Sequence, residues 1–386
     1  MIEWLWLLLP IAAATGWLSA WHQERQRSKN TFWSPDYLKG LNYLLNEEPD
    51  KAIDIFIKLI EVDSDTVETH LALGVLFRRR GEVNRAIRIH QNLIARPALH
   101  PHQRSNAMFE LAEDYRCAGL LDRAEQLFQE LVASSTHQVL ALHQLLEIYQ
   151  QEQDWEKAIN TAQQLTNASS EARHVDIAQY YCEQAEYYRK QGQNNAALNT
   201  IQYALKIDSN CVRASLLEGQ LALVRHDQEG AILAFQRIEQ QNPDYLTEVI
   251  EPLQICYQTL GRQNEFVLYL LHILKHYGGI RPMLVLTEIV KQEEGEQQAV
   301  DFIVKEMHKR PSLQGLDHLL DMALFNVDNI TRNHLLLLKD LMTQFLKNKP
   351  AYKCRHCGFT ARKLHWQCPS CKQWSTLKPI QGIDSE

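Results

Sequence analysis

Four cysteines near the C-terminus, Cys354, Cys357, Cys368 and Cys371, form two C-x-x-C pairs separated by ten residues. A two-residue spacer lets both sulfurs of a pair turn toward one metal ion, and two such pairs complete a tetrahedral thiolate cage. The glycine after Cys357 permits a tight turn whose backbone N–H groups face sulfur, and Pro369 stiffens the second pair. With four protein thiolates, one metal ion per chain is held and no coordination position is left open. Such a site is structural or electron-transferring, not hydrolytic. A tetrahedral S4 set suits zinc and iron equally. His356 and His365 are nearby donors that four cysteines make unnecessary. Lys353, Arg355, Arg362, Lys363, Lys372 and Lys378 lie around the cage with no acidic residue among them, and can offset its charge. Phe359, Trp366 and Trp374 are expected to supply the small hydrophobic core that so short a domain needs.

The remaining cysteines, Cys117, Cys182, Cys211 and Cys256, are far apart within helical patterns and read as small buried apolar side chains. A 386-residue chain with eight cysteines is too long and too cysteine-poor for a secreted disulfide scaffold, so a reducing compartment is expected. Two adjacent disulfides in place of the metal conflict with that placement. Apolar residues make up 45% of the chain and charged residues 23%, which predicts folded structure over most of its length. The net charge of -7 argues against a nucleic-acid binder that relies on broad phosphate neutralisation. No H-E-x-x-H, P-loop or G-x-S-x-G motif occurs, and an enzyme is not expected.

The elements that must carry the cage begin at the other end of the chain. Residues 4–21, WLWLLLPIAAATGWLSAW, contain no charge. As a helix they span roughly 27 Å, close to a hydrocarbon core of about 30 Å. Trp4 and Trp6 mark one end and Trp17 and Trp21 the other, as aromatic belts do. Only Glu3 precedes the apolar stretch, whereas Arg25, Arg27 and Lys29 follow it. A cleaved signal peptide would need the basic residues first. The expectation is an uncleaved single-pass anchor at residues 1–21, with a juxtamembrane linker at 22–34 and the bulk of the chain in the cytoplasm.

The middle is a repeat array. Ala52, Ala86, Ala124, Ala158, Ala197 and Ala231 recur at gaps of 34, 38, 34, 39 and 34, and 34 is the tetratricopeptide period. Twelve residues before each alanine is a small or apolar residue (Gly40, Gly74, Ala112, Leu146, Ala185, Gly219), and nine before it usually an aromatic. Four after it come Phe56, His90, Phe128, Ala162, Ile201 and Phe235, and Gly81, Gly119 and Gly192 mark turns five before. The physical unit is a helix hairpin in which a small residue of the first helix admits close approach of the second. A degenerate seventh unit carries Tyr257, Gly261 and Phe266. A helix–turn–helix pattern at 282–308 turns at Glu294-Gly295, and two less regular helices are expected at 313–325 and 331–347. The fold class is therefore all-α: a tetratricopeptide array at 35–275, a helical continuation at 276–348, a rubredoxin-like metal domain at 349–379 and a tail at 380–386. Such an array presents a groove for peptides or proteins and implies no chemistry of its own.

An N-terminal anchor, a tetratricopeptide array and a C-x-x-C-G…C-P-x-C tail together resemble the lipopolysaccharide assembly protein B family of Gram-negative bacteria, over the whole chain. The family's metal ligands map onto Cys354, Cys357, Cys368 and Cys371. The resemblance to rubredoxin favours iron, with zinc equally suited. Rubredoxins proper space their knuckles further apart, so an electron-transfer role does not carry over. The resemblance implies a non-enzymatic adaptor of the inner membrane that limits lipopolysaccharide synthesis. It implies as partners the FtsH protease, the LpxC deacetylase whose degradation it promotes, and other lipopolysaccharide assembly or regulatory membrane proteins; a homo-oligomer is compatible with it. A second class stays open on the residues alone: a redox protein using tetrathiolate iron, recognisable by a reversible one-electron signal and ferric-thiolate absorption.

Overall fold

The computed structural model describes residues 35–46, 48, 51–56, 67–97, 99–134, 136–169, 172–324, 329–347 and 349–380. The expected anchor and linker lie outside these residues. No helix among the described residues is long and apolar enough to cross a membrane. The chain forms two compact units that divide after Ile148.

In the first unit, α1 (Pro35–Leu45) and a helical turn at 51–56 are followed by α2 (Val67–Arg79), α3 (Val83–Ile94), α4 (Pro101–Cys117) and α5 (Leu121–Ala133). Helix α6 (Gln138–Glu152) follows and runs across the division. The second helix of each hairpin buries a narrow stripe: Ala86, His90 and Leu93 in α3, and Ala124, Phe128 and Leu131 in α5. That spacing of four then three is the inward face of an amphipathic helix. The small residue twelve before each alanine has the predicted role. A Cβ at Gly74 would lie 2.3 Å from the His90 ring, and one at Gly40 would lie 2.7 Å from Phe56. Only glycine allows these ring-to-backbone contacts.

The second unit continues through α7 (Trp155–Ser169), α8 (His174–Lys190), α9 (Asn194–Ile207), α10 (Val212–Val224) and α11 (Gln228–Gln241). Gly219 repeats the device, its missing Cβ falling 2.4 Å from Phe235. Asp227 caps α11 by accepting from the Gly230 N–H at 2.9 Å. The seventh unit departs from the others. Its first helix opens as a 3-10 turn, Pro243–Glu248, before α12 (Ile250–Thr259) and α13 (Gln263–His276). Phe266 takes the alanine position there and is fully buried against Tyr257, with ring centroids 5.5 Å apart. Helices α14 (Ile280–Glu293) and α15 (Glu296–Lys309) turn at Glu294-Gly295, with Ala299 fully buried. The two helices expected at 313–325 and 331–347 are α16 (Leu313–Ala323) and α17 (Asn329–Lys347).

The tail is the described part that is not helical. Strands β1 (Tyr352–Cys354), β2 (Thr360–Ala361) and β3 (Leu377–Pro379) form an antiparallel sheet in the order β2-β1-β3. Tyr352 pairs with Ala361 on one side and Pro379 on the other.

Candidate metal centre and its seat on the repeats

The sheet exists to hold two knuckles. Cys354 ends β1, and the chain turns back at Gly358, whose φ of 80° is left-handed, to enter β2. The second pair, Cys368 and Cys371, lies in the loop between β2 and β3, where Lys372 takes a left-handed φ of 60°. The four sulfurs lie within 4.8 Å of one another. Cys354 Sγ is 3.8 Å from Cys371 Sγ, and Cys357 Sγ is 3.7 Å from Cys368 Sγ. A metal ion about 2.3 Å from each of four thiolates needs sulfurs about 3.8 Å apart, the edge of the tetrahedron. The donor set and its spacing therefore fit one tetrahedrally held ion.

The electrostatics of the four thiols favour a bound cation. Burial disfavours the Cys354 thiolate, but the Thr376 hydroxyl, 3.3 Å away, and the backbone N–H groups of Cys357 and His356 outweigh it and bring the thiol down to about 6. The Gln373 backbone N–H favours a thiolate at Cys371, yet burial and the three neighbouring sulfurs push that thiol up to about 12. Four crowded sulfurs cannot all ionise unaided, and a divalent cation removes that conflict. His356 and His365 are exposed and stand outside the sulfur cluster.

The core of this domain is smaller than the aromatic residues suggested. It consists of Cys354, Cys368 and Leu377, with Tyr352, Phe359, Ala361, Leu364 and Cys371 around them. Phe359 belongs to it, as expected. Trp366 and Trp374 do not, which corrects the expectation for these two. Both indoles turn out of the domain and into the repeats. Trp374 meets Tyr180 of α8 edge-on at 5.8 Å and Trp155 of α7 at 6.4 Å. Trp366 stacks on Tyr245 at 5.6 Å, and the Arg213 guanidinium lies 5.8 Å from its ring centroid. The physical reason is size. A cage filled by four sulfurs and a leucine has no room for indoles, whereas the face of the array offers tyrosines to stack on.

Polar contacts complete the seat. Gln179 Nε2 donates to Ser375 Oγ at 3.0 Å, and Gln367 Nε2 donates to Gln150 Oε1 at 3.2 Å. Tyr245 donates its hydroxyl to the Leu377 carbonyl at 2.8 Å, Tyr352 donates to Glu248 at 2.5 Å, and Lys378 pairs with Asp244 at 2.9 Å. Arg213, only 3% exposed, is held by Glu183 at 2.9 Å and Glu186 at 2.8 Å. These repeat residues come mainly from the first helices of successive hairpins, α6, α8 and α10, and from the 3-10 turn. The irregular start of the seventh unit now has a cause: the turn presents Asp244, Tyr245 and Glu248 to the metal domain together. None of these repeat residues stood out in the sequence. The available signal was the break in the repeat pattern at 242–248.

Residues 352–379 match the family described as rubredoxin metal binding domain, and residues 69–101 and 182–245 match tetratricopeptide repeat families. Over its full length the chain is 37% identical to lipopolysaccharide assembly protein B of Escherichia coli strain K12, covering 100% of both. The chain belongs to the lipopolysaccharide assembly protein B family. The Haemophilus influenzae member is 34% identical over 99% of each chain. A solved structure of Naa15/Naa10 bound to HypK-THB aligns with 82% of this chain and 47% of that one, at 13% identity and a TM-score of 0.45. In this member of the family, the metal domain and the repeats of the second unit form one continuous packed body.

Proposed function

We propose that this chain is a non-enzymatic inner-membrane adaptor in lipopolysaccharide assembly. In this reading residues 1–21 anchor it, the repeats between about 35 and 275 and their helical continuation offer protein-binding surface, and Cys354, Cys357, Cys368 and Cys371 hold one structural metal ion. It brings the LpxC deacetylase to the FtsH protease and so limits lipopolysaccharide synthesis. The observation that carries the reading is the seat of the closed thiolate cage on the repeats. A fully ligated ion has no position for substrate, so its contribution is mechanical. It holds Trp366, Trp374 and Tyr352 in the geometry that braces four successive hairpins. Anchoring confines that braced surface to the membrane plane and raises its effective concentration toward a membrane protease.

The test is deacetylase turnover in cells whose own copy is replaced by a variant. Cys357→Ser is expected to release the metal and to slow deacetylase degradation, and removal of residues 1–21 is expected to do the same with the metal retained. Unchanged deacetylase turnover in both strains would overturn the adaptor reading.

A further inference from the structure

The exposed surface of the metal domain carries charge of one sign. Between residues 352 and 380 the exposed side chains include Lys353, Arg355, Arg362, Lys363 and Lys372, with His356 and His365, and no acidic residue. The sixth cation, Lys378, pairs with Asp244 in the seat. The chain as a whole has a net charge of -7, so with six basic residues in this stretch the remainder carries -13. A shell of this sign exceeds what two thiolate charges require.

We propose that this basic shell docks on an anionic lipid surface. Three features of the domain select that partner over other polyanions. First, its aromatic side chains are already used. Trp366 and Trp374 are stacked on the repeats and Phe359 is in the cage, so among residues 352–380 no exposed Phe, Tyr or Trp remains for a nucleic-acid base to stack on. Second, the cations line neither of the two main cavities of this unit. The cavities of about 580 Å³ and about 240 Å³ in this unit touch the domain only through Pro379 and Ile380, and through Leu364 and Trp366. An acidic peptide would need a groove, whereas a plane of headgroups needs only convex, well-solvated positive charge. Third, the proposed anchor at residues 1–21 holds the chain at a bilayer whose surface is within reach, and the inference rests on that reading for its geometry. Arg25, Arg27 and Lys29 beside the anchor have the same sign.

The experiment uses the full-length chain in bilayers of phosphatidylcholine, with and without phosphatidylglycerol. Acetylation rates of Lys353, Lys363 and Lys372 are followed by mass spectrometry, with exposed Lys190 and Lys206 on the repeats as references. The expected result is several-fold slower acetylation of the three domain lysines in the anionic bilayer, no change at the references, and full recovery in 1 M salt, where the Debye length falls to about 3 Å. The double substitution Lys363→Glu with Lys372→Glu is expected to abolish the protection of Lys353 without loss of metal. Equal rates in the two bilayers, with the chain retained after an alkaline wash, would overturn docking and leave the anchor reading intact. Loss of the chain from phosphatidylcholine on washing, with protection still seen on phosphatidylglycerol, would overturn the anchor and keep docking. Equal protection by soluble polyglutamate in the neutral bilayer would assign the shell to acidic polypeptides and overturn the lipid reading.

Discussion

Asp114 and His90 replace a packing pair by a polar one. His90 occupies the position where other hairpins place Phe56, Phe128 and Phe235. Asp114, ten before Ala124, stands where Leu76, Ile148 and Leu221 stand elsewhere. Both are fully buried, with His90 Nδ1 2.6 Å from Asp114 Oδ2 and Arg78 Nη1 2.7 Å from Asp114 Oδ1. Removing one member of a buried polar set strands the others, so Asp114→Ala is expected to destabilise the first unit by about 3 kcal/mol. Restoring the apolar pair, His90→Phe with Asp114→Leu, is expected to recover most of that loss, because a buried polar set is often matched by well-packed hydrophobic residues. Thermal unfolding of the three proteins checks both. The departure of His90 from the aromatic series was visible in the sequence. Its partner was not, because 24 residues of unrelated periodicity separate the two.

The turn between the two helices of each hairpin has one backbone requirement. Gly81, Gly119, Gly192 and Gly261 adopt φ between 68° and 85°. Gln153 and His226 fill the same position with φ of 59° and 58°. A left-handed conformation costs a residue with a Cβ roughly 1–2 kcal/mol, partly offset by the greater freedom of glycine in the unfolded chain. Gln153→Gly and His226→Gly are therefore each expected to stabilise by about 0.5 kcal/mol. Gly119→Ala is expected to destabilise by about 1 kcal/mol. Denaturant midpoints at constant slope distinguish these outcomes. Hairpins of this kind are readable without coordinates because every constraint in them is local. The 3-10 opening of the seventh unit is not local, since it answers to residues more than a hundred positions away.

The second unit depends on long-range closure. Residues 350–380 return to helices that precede them by up to 217 positions. Trp374→Ala removes the ring that meets both Tyr180 and Trp155. It is expected to cost about 3 kcal/mol of docking and to leave the four-sulfur cage able to hold metal. Hydrogen exchange at the amides around Leu377, with metal content measured in the same sample, checks the two halves of that statement. Docking is also expected to weaken in alkali. Burial raises the phenols of Tyr180 and Tyr245 above the ordinary value of about 10. A raised pKa in the folded state means the stabilisation is fully present below pH about 10 and is lost as pH rises above it. Phenolate absorbance should therefore appear for these two only with undocking.

Among the described residues, the order of the helices, the register of the hairpins and the grouping of the four cysteines were readable from residue types and spacing. Each depends on neighbours within about forty positions: a 34-residue period, a small residue facing a ring in the same hairpin, two cysteines two residues apart. The same reasoning assigned Trp366 and Trp374 to the inside of the metal domain, because a small domain needs a core. The folded chain assigned them to the repeats. Whether an indole packs inward or across a seam depends on the volume left by the cage and on which tyrosines the repeats bring opposite it. Neither quantity exists until distant segments meet. The cage itself is local chemistry, and its seat on the repeats is a property of the assembled molecule.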